Sequence, residues 1–248
     1  MARTAADRAA STQEKNTAWL ERNIFPAIGA LPISTIKPWN VLSALRVIEK
    51  RGAIESAHKI KQLCSQIFRF AVASSLADRD MTVDLRGALS AVPEAHYAAM
   101  TDPKEAAELL RAIDAYNGHA YTVVALKLAP LVFLRPGELR TAEWSEIDLD
   151  TAEWRIPGPK MKMGQDYIVA LARQAVALLR KLHAMTGHGK FVFPSVRTGE
   201  RCMSENTINT ALRGMGYGKD VMTGHGFRAM ARTIMDEVLG ERVDLIEH

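Results

Sequence analysis

Cysteine is scarce in these 248 residues, which hold only Cys64 and Cys202. The two lie far apart and lack the paired spacing of a metal site, so they read as two reduced thiols of a cytosolic protein. Long apolar runs are missing too, which excludes a bilayer-spanning helix, and the N-terminal "MARTAADRAASTQEKN" has no apolar signal core. There is no internal repeat or low-complexity tract, and disorder is excluded by 48% hydrophobic and 24% charged residues, both near globular averages. A glycine-rich phosphate loop and an acidic cluster are likewise absent, which argues against nucleotide-dependent and metal-dependent phosphate chemistry.

What is present is a small basic excess, unevenly placed. The net charge is +4. Residues 1–99 carry 13 Lys and Arg against 9 Asp and Glu, whereas residues 100–248 carry 19 of each. A basic part beside a balanced part fits one region that grips a polyanion and another that acts more specifically, although an excess this small also fits chance.

Periodicity predicts a chain that is mostly helical with one small sheet. Helices are expected at 12–26, ending at Pro26, at 38–51 and at 54–75. In the second, Trp39, Val41, Leu42, Leu45, Val47 and Ile48 supply the apolar positions. In the third, Ile60, Leu63, Cys64, Ile67, Phe68 and Ala71 repeat at three and four residues and form a buried stripe. Lys59, Gln62, Gln66 and Arg69 share its opposite face, either as a solvated polar surface or as a ridge of donors for phosphates. The composition predicts a helical domain over 1–90, a linker over 91–102 and a second domain over 103–248. Thr101-Asp102-Pro103 opens that domain as a helix start. Further helices are expected at 103–115, 119–133, 136–143 and 172–185, and in "SENTINTALRGMG" and "GHGFRAMARTIMDEVLG". "EWRIPG" and "DYIVAL" read as strands around the polar tip "PKMKMGQ", and "KFVFP" as a short strand.

Four side chains stand out as possible anion ligands. In "LRPGELRTAEW", Arg135 leaves an apolar helix for a Pro-Gly turn and a helix start, where free backbone N–H groups favour anions. Lys162 lies at the predicted hairpin tip. His225 and Arg228 in "HGFR" are three apart, on one helical face. Guanidinium groups bind phosphate as a bidentate fork, and fixed cations stabilise the charge that a phosphodiester gains in a five-coordinate state. Each residue also has a plain reading: Arg135 paired with Glu138 at i,i+3, Lys162 a solvated turn lysine, His225 a capping residue, and Arg228 or Arg232 surface charges.

In order, "LRPGELRTAEWSEIDLD", "MKMGQDYIVAL" and "HGFR" resemble the successive boxes of a tyrosine recombinase catalytic domain. "VFPS", "MSENTINTALRGMGY" and "THGFRAMARTIM" are similar to the phage and genomic-island integrases of the P4-like group. "RNIFPAIGALPISTIKP" and "IFRFAVA" resemble that group's helical core-binding domain. The resemblance implies a core-binding domain followed by a recombinase catalytic domain acting on double-stranded DNA in the bacterial cytoplasm, as a homo-oligomer, with no metal, nucleotide or membrane. A tyrosine hydroxyl would attack a DNA phosphate and form a 3′-phosphotyrosyl link. By matching boxes, Arg135 would hold the non-bridging oxygens, supported by Glu138. Lys162 would protonate the leaving 5′ oxygen, His225 would assist proton transfer, and Arg228 would complete the clamp. The family's nucleophile follows the second box, yet no tyrosine follows Tyr217 here. Tyr217 precedes His225, and Tyr97, Tyr116, Tyr121 and Tyr167 read as packing residues. The chain is thus expected to be cut at both ends and to lack its nucleophile, which leaves either an incomplete recombinase or an accessory DNA-binding fragment.

Overall fold

A computed structural model describes residues 10–93, 97–161, 164–242 and 244. It divides into two compact units, Met1–Ala95 and His96–His248, each with its own core.

The first unit is helical: α1 (Ala10–Asn23), α2 (Phe25–Ile28), α3 (Pro38–Lys50) and α4 (Ile54–Ala73). Where one helix over 12–26 is expected, the chain breaks after Asn23, and Pro26 sits in the first turn of α2 rather than ending α1. Proline lacks an N–H but tolerates a first turn, where that donor has no helical partner. The stripe on α4 is buried as its spacing predicts, through Ile60, Leu63, Cys64, Phe68 and Ala71, with Ile67 partly covered. On α3, Val41, Ala44, Leu45 and Ile48 face the core, whereas Trp39 is 66% exposed and Val47 also faces solvent.

The second unit opens with α5 (Pro103–Ala115), and Asp102 Oδ1 accepts from the N–H groups of Lys104 and Glu105. Such a cap is worth about 1 kcal/mol. The next helix, α6 (Ala120–Val132), is apolar around most of its girth and runs through the core, with Leu126 and Leu128 fully buried. It is followed by α7 (Pro136–Arg140), shorter than the 136–143 expected. Three short antiparallel strands come next: β1 (Ile147–Asp148), β2 (Glu153–Ile156) and β3 (Tyr167–Ala170), with Trp154 opposite both Ile147 and Val169. The remaining helices are α8 (Arg173–Thr186), α9 (Thr207–Gly214) and α10 (Gly226–Thr233), the last running into a π-type turn, Ile234–Val238.

Two further expectations change. "KFVFP" is not a strand: it makes isolated bridges, Glu143 to Phe191 and Pro194 to Cys202, while Val192 and Phe193 plug the core. Residues 97–100, expected within the 91–102 linker, are held by the second unit. The Ala98 carbonyl accepts from Thr223 N–H (3.2 Å) and Thr223 Oγ1 (3.3 Å), and Met100 lies in the core. Among the described residues, no helix is long and apolar enough to cross a membrane, and no cluster of His, Cys, Asp and Glu is placed to hold a metal.

Candidate anion-binding cleft

The seat of Arg135 follows from how α6 ends. Phe133 caps it in the left-handed region (φ 52°), the chain turns out, and Arg135 takes an extended conformation ahead of Pro136, the first residue of α7. A residue before proline is biased to extended geometry, so "RPG" fixes Arg135 at the helix entry. Glu138 locks it there. Its carboxylate accepts from the Arg135 backbone N–H (2.9 Å) and from Arg135 Nη1 (2.7 Å), and Glu138 itself is only 7% exposed. The i,i+3 pairing is therefore real, but it is half-buried and orients the guanidinium. A guanidinium has five N–H donors, so a bond to Glu138 leaves donors for an anion.

The "HGFR" box reaches the same place through two close approaches. Gly224 lies against Pro136, where a Cβ would meet Pro136 Cγ at 3.1 Å, and its N–H donates to Asn209 Oδ1 (2.9 Å). Gly226 lies against residues 98–99, where a Cβ would meet the Ala98 carbonyl oxygen at 2.3 Å. Glycine is needed at 226 because the backbone of 98–99 occupies the space of a side chain. Arg228 Nη1 then donates to the Phe133 carbonyl (3.2 Å), tying α10 to the turn that presents Arg135.

The result is a cleft of about 560 Å³ lined by Arg135, Glu138, Arg140, Lys160, Asn209 and His225, among others. A second hollow of about 440 Å³ shares Arg135, Pro136 and His225 with it and adds Arg228, Arg232 and Tyr97. Arg135, Glu138, His225 and Arg228 are thus brought together. Lys162 lies outside the described residues. Burial pushes the His225 imidazole below its ordinary pKa, the Arg135 charge adds to that, and the Glu138 carboxylate opposes it. A histidine shifted down is neutral at pH 7 and able to accept a proton.

Three features were missed by sequence reasoning. Tyr97 is not a packing residue: it is 66% exposed, and its ring stacks on His225 with centroids 4.3 Å apart and planes 10° from parallel. Arg232 lines the cleft one helical turn beyond Arg228, at an i,i+4 spacing that was visible in "RAMAR". Lys160, in the stretch "PKMKMGQ", is partly buried and ion-paired. Its ammonium donates to the Thr141 carbonyl (3.0 Å), to Glu143 (2.7 Å) and to Glu146.

On α4 of the first unit, Lys59, Gln62, Gln66 and Arg69 are all exposed, opposite the core stripe. Lys59 is ion-paired with Glu55 one turn earlier.

Comparison with known proteins gives a consistent set of likenesses. The family model described as "Phage integrase central domain" matches residues 1–88, and "Phage integrase family" matches residues 99–242. The integrase of Enterobacteria phage P4 is 38% identical over 232 residues, covering 88% of this chain and 53% of that protein. The putative protein IntB of Escherichia coli K12 is 36% identical over 225 residues, covering 86% and 57%. The chain therefore spans about half the length of the relatives it matches. A lambda integrase dimer bound to a COC′ core site superposes with a TM-score of 0.75 at 19% identity, over 97% of this chain and 87% of that one, which shows a shared fold.

Proposed function

Because the chain belongs to the phage integrase family, we propose that it is the DNA-gripping core of a site-specific recombinase that acts on double-stranded DNA in the bacterial cytoplasm. The observation that carries this reading is that Arg135, His225 and Arg228, distant along the chain, line one connected cleft. Arg135 and Arg228 hold the non-bridging oxygens of one backbone phosphate, where fixed cations stabilise the charge that develops during displacement. Glu138 keeps the Arg135 fork in place. His225, neutral at pH 7, takes the proton of an attacking hydroxyl. Lys162 serves as the acid for the leaving 5′ oxygen, by its place in the matching box. Lys59, Gln62, Gln66 and Arg69 are the phosphate-facing ridge of the first unit, residues 1–90 forming its DNA-binding domain and residues 103–248 the catalytic one. Assembly as a homo-oligomer on DNA is part of the same proposal, in line with the lambda integrase dimer on its core site.

The family's reaction proceeds through a phosphotyrosine, and none of the five tyrosines of these 248 residues follows the His225–Arg228 box. We infer that the cleft of these 248 residues holds and polarises the phosphate, and that the attacking hydroxyl is not one of their five tyrosines.

The test uses duplex DNA selected from a random pool for binding to the 248-residue chain. Arg135→Ala and Arg228→Ala each remove a charge-assisted contact worth about 1.5–3 kcal/mol and so weaken binding about tenfold or more. The unaltered chain forms no SDS-resistant adduct with the same duplex. Unchanged affinity in both variants would sink the clamp; an adduct would place a working nucleophile among the five tyrosines.

A further inference from the structure

The segment just ahead of α5 does more than connect. Residues 97–99 run across the N-terminal end of α10 and are fixed there twice over. The Ala98 carbonyl accepts two hydrogen bonds from Thr223, and Gly226 gives up its side-chain volume to the backbone of Ala98 and Ala99. The register of those contacts sets the Tyr97 ring flat on the imidazole of His225, 4.3 Å away and nearly parallel. An exposed tyrosine with no packing role is otherwise free to swing into water. Here it is held over one ring of a cleft whose other walls are Arg135, Arg228 and Arg232.

A face-on stack has a specific geometric effect. It covers one face of the imidazole and leaves its edge, where both nitrogens lie, available for hydrogen bonding. It also restricts rotation of a side chain that sits at a helix entry. We propose that Tyr97 is a positioning residue for His225, a plate that fixes the imidazole plane so that its ring edge meets the phosphodiester held by Arg135 and Arg228. The proposal rests on the phosphate-binding reading of the cleft and adds a residue to it. It also explains why "HGFR" needs its glycine, since any side chain at 226 would drive residues 98–99, and Tyr97 with them, off α10.

The titratable and charged groups that share the cleft with His225 are Tyr97 from the preceding segment, Arg135 at the entry to α7, Glu138 and Arg140 from α7, Lys160 and Glu205 on its other side, and Arg228 and Arg232 from α10. Removing the tyrosine ring exposes the imidazole to water, which favours its charged form. The 248-residue chain is titrated by NMR, following the His225 ring proton assigned with His225→Gln. Tyr97→Ala and Tyr97→Leu are expected to raise the His225 midpoint toward the ordinary histidine value, while Tyr97→Phe, which keeps the stack, leaves it in place. Affinity for the selected duplex climbs as pH falls through the same midpoint, and that climb moves to higher pH in the Ala and Leu variants only. The two substitutions differ in bulk, so a variant that loses its fold leaves the other to report. An unmoved midpoint in Tyr97→Ala and Tyr97→Leu would overturn the proposal, as would a Tyr97→Phe midpoint displaced as far as theirs. The NMR readout needs no DNA. If the duplex readout is flat while the midpoint moves, the plate stands and the DNA reading of the cleft fails.

Discussion

Burial decides the chemistry of the two thiols. Cys64 is 3% exposed on the core face of α4, and desolvation, helped by the Asp80 charge, pushes its pKa up to about 12. The reactive form is the thiolate, so Cys64 is inert while the fold holds. Cys202 is only partly buried and accepts a hydrogen bond from Arg140 Nη1 at 3.1 Å. Iodoacetamide at pH 8 is expected to alkylate Cys202 and to spare Cys64 until denaturant is added, as read by peptide mass spectrometry. Equal labelling of both in the native chain would contradict the burial. At this scale the sequence was legible where local geometry decides. Pro136 and Gly137 after an apolar run announced that Arg135 would be held at a helix entry. Tyr97 was not legible, because its stack on His225 depends on a backbone crossing that no spacing encodes. The only hint was the glycine between His225 and Phe227.

The sheet illustrates what an element needs beyond its own residues. Its two longer strands were readable from their β-branched and aromatic content, but the two-residue β1 is too short to carry a pattern, and it exists because β2 offers it an edge. "KFVFP" has strand composition yet forms only single bridges, because the core claims Val192 and Phe193 before a neighbour can pair along them. The base of the hairpin is tied down by Lys160. Its burial alone would lower its pKa, but hydrogen bonds to Glu143 and Glu146 outweigh this and raise it. Glu143 is held below the ordinary carboxylate value, chiefly by the hydrogen bond from Lys160. Glu146 also accepts from Nε1 of the fully buried Trp154 at 3.2 Å, so the ion cluster is joined to the core. Lys160→Met leaves these carboxylates without their cation and is expected to cost about 2 kcal/mol at pH 7, measured by urea unfolding. A carboxylate with a lowered folded-state pKa stabilises above its unfolded value and loses that contribution as pH falls through the folded one. The gap between Lys160→Met and the unaltered chain should therefore close at acid pH, once Glu143 is protonated. A gap that is constant down to pH 3 would mean that Lys160 acts through packing alone.

For the whole molecule the informative quantity is where the charge lies. All of the +4 excess sits in residues 1–99, and the part that carries the cleft is balanced. Within the first unit, α4 turns its apolar stripe inward and keeps Lys59, Gln62, Gln66 and Arg69 exposed, a division that 3.6-residue periodicity dictates and that was read correctly from the sequence. On the DNA-binding reading proposed above, the balanced unit gains nothing from net attraction, and its grip would come from a few placed cations. The basic unit can supply the general, salt-sensitive part of the binding. These contributions separate experimentally, because each phosphate neutralised releases counterions and adds about one unit to the slope of log affinity against log salt. Lys59→Ala and Arg69→Ala together should flatten that slope by about two units in a titration from 50 to 200 mM salt. The Lys59 share is the more exposed to failure. Its ion pair with Glu55 must give way for a phosphate to take its place, and a strong pair would leave Lys59→Ala without effect while Arg69→Ala alone changed the slope. If neither substitution changes the slope, α4 presents only a solvated face, and the basic excess of the first unit must contact DNA through other side chains or not at all.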